Sequence, residues 1–331
     1  MDTIESRKRA HLALSLKPSV RGDGAELSHI RLPFDALFEV SPERLDTRTQ
    51  IAGIPLAFPL MFGAMTGGTE LAILFNTALR RLARDNGLAL CLGSMRAFLE
   101  NDDLRETYGV GEVDALFANL GASEIEKYSA QLIELKCREL GCVGIFIHLN
   151  GLQEFVQPGG NRDFSCSLDT LRRFVESIDM PVFIKEVGSG IGGRCAQRLC
   201  ALPIAGIETA SLGGTSWVKI EAQRRESPIS AVNVEALASL GYSLESSLAD
   251  CRGALGNRTL IASGGIDNAV DLVKSLALGA DLVAIAQPLY RAYSENGEDG
   301  LLQLVSEYLE IGRLVWRSTG CANLAELQRI L

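Results

Sequence analysis

Eight short apolar runs recur along the chain, each followed by a Gly-rich or polar break and then, for the most part, by a stretch of helical period. The runs are Phe58–Thr66, Leu88–Met95, Asp114–Ala122, Val143–Asn150, Val182–Gly188, Gly206–Gly214, Thr259–Ile266 and Leu282–Tyr290. Each is nearly continuously apolar, the pattern of a strand buried on both faces of a parallel sheet. The intervening segments, such as Leu71–Leu79 and Ala269–Leu276, repeat apolar residues at helical spacing. Strands that alternate with helices eight times, joined by right-handed crossovers, predict a closed (β/α)8 TIM barrel. A doubly wound open sheet is the rival, but no G-x-G-x-x-G follows the first run.

Residues 1–57 precede the first strand and hold prolines at 18, 33, 42 and 55. They read as an extension lying over a barrel mouth, with 58–331 forming the barrel and its C-terminal helix in one domain. The stretch 301–317 has helical period and supplies the last outer helix. The region 224–256 is the least regular.

With 331 residues and 47% hydrophobic content, the chain can bury a full core without disulfides. Cysteines stand at 91, 137, 142, 166, 195, 200, 251 and 321, with no C-x-x-C pair, so reduced structural thiols are expected. The N-terminal MDTIESRKRAH has basic residues with no apolar run after them, and no uninterrupted apolar stretch reaches membrane-spanning length. A cytoplasmic protein with no membrane partner follows as the expectation. The net charge of −9 argues against nucleic acid as a partner. An anionic small molecule would then need local positive groups.

Those groups sit where the strands end. The C-terminal rim of such a barrel is where active sites are built, so polar residues closing different runs converge on one mouth. Gly213-Gly214-Thr215 and Ser263-Gly264-Gly265 close the sixth and seventh runs. Their small residues let backbone N–H groups approach phosphate oxygens. Arg7-Lys8-Arg9 and Arg96 offer charge for a second anionic group. Lys185 ends a run and projects into the mouth; an ion pair with Glu186 is disfavoured because successive strand residues face opposite ways. His148 and Asn150 share one face of another strand end. Glu154 follows in the loop, and beside a diphosphate one carboxylate is a plausible Mg2+ ligand. No G-x-S-x-G, H-E-x-x-H or Walker A pattern is present.

These strings together resemble the type 2 isopentenyl diphosphate isomerases, an FMN-dependent family. They include RKRAH at 7–11, AMTGG at 64–68, GS-R at 93–96, NLGA at 119–122, HLN--QE at 148–154, QP-G at 157–160, KEVG at 185–188, GGTSW at 213–217, SGGI at 263–266 and LGA at 278–280. The resemblance spans residue 7 to about 290 and implies a reversible shift of a double bond between isopentenyl and dimethylallyl diphosphate. Its implied cofactors are reduced FMN, Mg2+ and NADPH as the flavin's reductant. It places FMN against Ala64, Met65, Thr66, Ser94, Asn119, Lys185, Thr215, Gly264, Gly265, Ala286 and Gln287. The diphosphate would meet Arg7, Lys8, Arg96, His148 and Asn150, with Gln153 beside the reacting carbons and Glu154 on Mg2+. Catalysis would fall to Gln153, Lys185 and His148. A homo-oligomer, tetramer or octamer, is also implied.

The sequence departs from the family pattern at Met95, at Ala210 and Ser211 before GGTSW, at Leu240-Gly241-Tyr242, and in the QPGGN loop at Gly159 and Asn161. Two other readings stay open: an FMN-dependent 2-hydroxy acid oxidoreductase, which needs a histidine late in the chain, and a catalytically inactive flavin- or phosphate-binding barrel.

Overall fold

The computed structural model describes residues 4–157, 160, 168–224 and 229–331. A hairpin of β1 (Thr49–Ile51) and β2 (Ile54–Leu56) precedes eight parallel strands. These are β3 (Leu60–Phe62), β4 (Ala89–Cys91), β5 (Leu116–Gly121), β6 (Gly144–His148), β7 (Val182–Lys185), β8 (Gly206–Glu208), β9 (Thr259–Ala262) and β10 (Leu282–Ile285). They close into a barrel in the order β10-β3-β4-β5-β6-β7-β8-β9, the expected (β/α)8 fold. Every expected run contains one barrel strand, but each strand stops short of the run's end. The last run even enters the next element, because Gln287 already begins a helix with Pro288 in its first turn, where a missing N–H costs nothing.

Alternation along the strands sorts the apolar residues into two layers. Met61, Ala89, Cys91, Phe117, Phe146, Phe183, Ile261 and Ala284 fill the barrel, while Leu60, Phe62, Leu90, Leu116, Ile145, Ile184 and Val283 pack outward against the helices. The Phe146 and Phe183 rings stack at 4.8 Å, and Phe117 meets both edge-on at 5.6 and 5.5 Å. Gly144 makes room for this filling: a Cβ there would lie 2.9 Å from the Phe117 ring.

Helices Ile73–Asn86, Ala130–Glu139, Leu168–Ser177, Gly193–Cys200, Leu244–Leu255, Ala269–Ala277 and Gln287–Arg317 follow the strands. The last begins well before the expected 301 and bends at Asn296 and Gly297, which leave helical geometry. The irregular region resolves into helices Ala231–Ala238 and Leu244–Leu255, with Ser230 and Ser243 as N-caps. Among the described residues no helix is long and apolar enough to cross a membrane, and all described cysteines are free thiols.

The extension serves both ends of the barrel. Ile51 and Leu56 of the hairpin join the interior cluster and cover its N-terminal end. Helix Ile4–Ser15 and residues 20–25 lie at the opposite, C-terminal mouth, where Arg7, Lys8 and Arg21 line the cavity.

Candidate active site

The polar floor of the mouth follows from the same alternation that fills the barrel. Two residues beyond Phe117, Phe146, Phe183 and Gly206, on the same inward face, stand Asn119, His148, Lys185 and Glu208. Strand register places His148 beside Lys185, and Lys185 beside Glu208. Above this floor a cavity opens at the C-terminal mouth of the barrel. Its lining includes the residues singled out from sequence except Arg9, Thr66 and Gly213; Arg9 pairs instead with Glu5 (3.9 Å), and Gly213 packs against Gly24. Thr66 is 2% exposed, and the chain there turns inward: its carbonyl accepts from Asn76 Nδ2 (3.1 Å), and its backbone packs against Gly93.

Lys185 donates through Nζ to the Glu186 carbonyl (2.8 Å) and lies 3.4 Å from Glu208 Oε1. Its carboxylate partner is therefore Glu208, on the adjacent strand. Glu186 instead accepts the backbone N–H groups of Val187, Gly188 and Ser189 (2.6, 2.6 and 2.5 Å). Ser263 Oγ also donates to Glu208 Oε1 (2.8 Å), which leaves Glu208 Oε2 buried without a partner. His148 Nδ1 hydrogen-bonds Asn119 Oδ1 (2.9 Å). Burial, with Lys185 and Lys8 nearby, lowers the His148 pKa to about 3, so its ring is neutral.

The extension brings the cations. Burial and the charges of Arg7 and Arg96 pull the Lys8 ammonium down to about 8, and burial and Arg96 lower Arg7 as well. Arg96 is held by Glu100 (2.9 Å) and Glu124 (3.5 Å). Arg7 and Lys8 are thus disfavoured as cations, whereas at Arg96 itself burial is outweighed by Glu100, Glu124 and Glu154, which raise it; a bound anion would favour the charged forms of the first two.

Beyond Asn150, helix Gly151–Val156 turns Gln153 and Glu154 toward the mouth. Asn150 Nδ2 donates to Gln153 Oε1 (3.4 Å) and Glu154 Oε1 (3.2 Å). Gln153 Nε2 reaches Glu221 Oε1 (3.4 Å), which also pairs with His11 Nε2 (2.7 Å). With its amide turned to satisfy both neighbours, Gln157 donates to Glu221 (3.2 Å) and accepts from Arg7 (3.2 Å). Burial works to raise the Glu221 carboxyl, but His11 and Arg224 outweigh it and leave it lowered. Burial lowers His11 despite Glu221, so the pair is best described as carboxylate and neutral imidazole.

His11, Trp217, Glu221, Glu208 and Arg21 were not singled out from sequence. His11 had a signal, since it lies one helical turn from Arg7 and Lys8. Glu221 lies one turn past Trp217, whose indole meets the His11 ring edge-on at 5.1 Å. Glu208 was a charge inside an apolar run, the same anomaly that marked Lys185.

The two Gly-Gly turns do more than admit a ligand. A Cβ on Gly213 would lie 1.8 Å from the Gly24 carbonyl oxygen, and one on Gly265 2.5 Å from the Gly24 carbonyl carbon. Both take positive φ (100° and 74°), so glycine is required there for the extension to seat. Gln287 also anchors the extension, donating through Nε2 to the Ser15 carbonyl (3.1 Å).

Several departures from the family pattern fall outside the cavity. Met95 is fully buried in the outer core, and Leu240 is 52% exposed on the surface. Ala210 and Ser211 do line the mouth; Ala210 takes a φ of 43°, and Ser211 Oγ is buried without a partner. Pro158, Gly159 and Asn161 lie outside the described residues.

Residues 149–331 match the model of the FMN-dependent dehydrogenase family. An isopentenyl-diphosphate delta-isomerase of Mycobacterium marinum is 36% identical over 99% of this chain and 96% of its own length. One from Oceanobacillus iheyensis is 34% identical over 98% and 95%. Among solved structures, mandelate oxidase with (S)-2-phenylpropionate superposes with a TM-score of 0.62 at 20% identity, covering 98% of this chain and 96% of that one; it attests the fold alone. The chain belongs to the FMN-dependent dehydrogenase family and to the family of isopentenyl-diphosphate delta-isomerases.

Proposed function

We propose that the protein interconverts isopentenyl and dimethylallyl diphosphate, using reduced FMN and Mg2+, with NADPH reducing the flavin. The observation that carries this reading is one cavity walled both by the cation cluster of Arg7, Lys8 and Arg96 and by the small-residue turns at 214–215 and 263–265. Two anionic groups, a diphosphate and a flavin phosphate, match those two walls.

The buried orphans support a polyhydroxylated cofactor. Glu208 Oε2 and Ser211 Oγ line the cavity unpartnered, a cost that hydroxyl groups of a ribityl chain would remove. Ala64, Met65, Ser94, Asn119, Lys185, Thr215, Gly264, Gly265, Ala286 and Gln287 would hold the flavin. Thr66, implied with them, is buried behind the lining, and its Oγ1 is without a partner.

The reaction removes a proton from one carbon and adds one to another with no net redox change. Bound reduced FMN would supply an electron-rich ring and an exchangeable proton beside the alkene. Lys185 would offset negative charge on the cofactor. Arg7, Lys8 and Arg96, with His148 and Asn150, would bind the diphosphate and hold the hydrocarbon end in place. The Gln153 amide, fixed by Asn150 and Glu221, would orient that end. Among the described residues no cluster of three or more His, Cys, Asp or Glu could hold a metal alone. Mg2+ would therefore bind Glu154 together with substrate oxygens and water. Assembly as a homo-oligomer and a cytoplasmic location belong to the same reading.

A 2-hydroxy acid oxidoreductase would need a histidine base late in the chain, and the three histidines are His11, His29 and His148. His148 is neutral and bonded to Asn119, and His29 pairs with Glu245 at the surface.

The test is an anaerobic isomerisation assay with Mg2+, with and without reduction of the flavin. Turnover only in the reduced state supports the proposal. Bound flavin without turnover refutes the substrate assignment, and lack of flavin affinity refutes the site assignment.

A further inference from the structure

Residues 20–25 of the extension run along the turn after β8 as a strap, backbone to backbone. Ser216 N donates to the Val20 carbonyl (2.8 Å), Gly22 N to Gly214 (2.8 Å), Gly24 N to Gly213 (3.1 Å) and Ala25 N to Gly265 (2.9 Å). Arg21 stands opposite Thr215 in this pairing. Its side chain crosses to the second turn and forms an ion pair with Asp267, and both line the cavity.

The described cations that line the cavity are Arg7, Lys8, Arg21, Arg96 and Lys185. Three of them, Arg7, Lys8 and Arg96, act on one another electrostatically and form the cluster at the extension helix. Lys185 is committed to the barrel floor beside Glu208. Arg21 is therefore the cation left for the wall made by 214–215 and 263–267. A phosphate monoester there carries close to two negative charges, more than backbone dipoles alone usually offset.

We propose that Arg21 is the side-chain anchor of the flavin phosphate, delivered to the site by the strap and oriented by Asp267. This rests on the FMN reading above. A guanidinium carries five donors in a planar fork, so it can keep one edge on Asp267 and offer another to phosphate oxygens. The strap thus couples two tasks: it seats the extension on the phosphate-binding turns and supplies the charge those turns lack. Arg291 also acts on Asp267 electrostatically, but its Nη2 is engaged by Gln287 Oε1 (2.8 Å).

The experiment compares binding of FMN and of riboflavin, which lacks the phosphate, to the full-length flavin-free protein by fluorescence quenching. Wild type should prefer FMN. Arg21→Gln should lose about 10- to 100-fold in FMN affinity, the scale of a charged hydrogen-bonded contact, with riboflavin binding unchanged within about threefold. Arg21→Lys, which keeps the charge and spares the strap's backbone pairing, should lose less and serves if Arg21→Gln misfolds. Equal weakening of both ligands would make Arg21 a structural clamp and overturn the proposal. So would unchanged FMN affinity, or a wild type that binds both ligands equally well. A wild type that binds neither would overturn the flavin reading itself, and the proposal with it.

Discussion

The crowding of Lys8 has a measurable consequence. Burial, then Arg7 and Arg96, hold its ammonium at about 8 against an ordinary value of 10.5. A group with a depressed cationic pKa is neutral in a growing fraction of molecules as pH rises through 8. A diphosphate placed against it reverses the balance, because an adjacent anion favours the charged form. Binding should therefore take up protons: about one tenth at pH 7, about half at pH 8 and about nine tenths at pH 9, for a pKa near 8 that returns above 10 in the complex. Affinity should correspondingly fall toward about tenfold per pH unit above 8. The assay is titration calorimetry of isopentenyl diphosphate into the oxidised holoprotein, run in two buffers of different ionisation enthalpy. The ligand's own ionisation adds to the signal, so the quantity of interest is the difference between wild type and Lys8→Met. A difference near zero at pH 8 to 9 would refute the argument that this lysine is held partly neutral for an anion to recharge.

Glu208→Gln should raise the bound flavin's reduction potential by some tens of millivolts, since the Lys185 charge would no longer be offset at 3.4 Å; dye-equilibrium potentiometry giving an unchanged or lower value would contradict this. Phe183→Ala should cost about 3–5 kcal/mol, because the fully buried ring is stacked on Phe146 and met edge-on by Phe117. A denaturant midpoint shifted by less than the equivalent of about 1 kcal/mol would show that the barrel filling relaxes around the gap. His148 is neutral when folded, with a pKa of about 3, and takes up a proton near 6.5 when unfolded. The unfolded state therefore binds more protons between those values, and stability should fall as pH drops from about 7 to 4, less steeply in His148→Gln. Equal slopes in chemical denaturation series would assign the acid sensitivity to other groups.

The barrel was legible because burial on both faces leaves an apolar run that no surface strand shows, and eight such runs spaced by helices admit few topologies. Strand ends were less so. Inward alternation continues past the last ladder bond, so the runs overshoot the strands and, at Gln287, enter the next helix. Much of the site was legible for the same reason: Asn119, His148 and Lys185 are polar residues at inward positions of apolar runs. Glu208 obeys that rule equally, a charge at an inward position of the sixth run. Thr66 lies in a string shared with the family but is 2% exposed and absent from the cavity lining, its backbone against Asn76 and Gly93 and its Oγ1 buried without a partner, a packing no local pattern announces. Arg21 and His11 depend on where a 57-residue extension lands, and contacts 200 residues apart leave no local periodicity to read.

That extension also explains how so acidic a chain can assemble a cationic mouth. The barrel strands contribute one ammonium, Lys185, and bury Glu208 beside it. Arg7, Lys8 and Arg21 all come from before residue 57, and Arg96 from the short helix Arg96–Glu100 after β4. Helix Ile4–Ser15 is held there by apolar contact, with Leu14, Val20 and Ile220 forming a small cluster against Trp217, and by the bond between His11 and Glu221. Glu221 is thus the carboxylate that ties the charge-bearing helix, through His11, to the same amide, Gln153, that faces the mouth. Its removal should loosen the cation cluster and the orienting amide together. Separate measurement of diphosphate affinity and turnover in Glu221→Gln should show both impaired; loss of turnover at unchanged affinity would place Glu221 in the proton transfer alone.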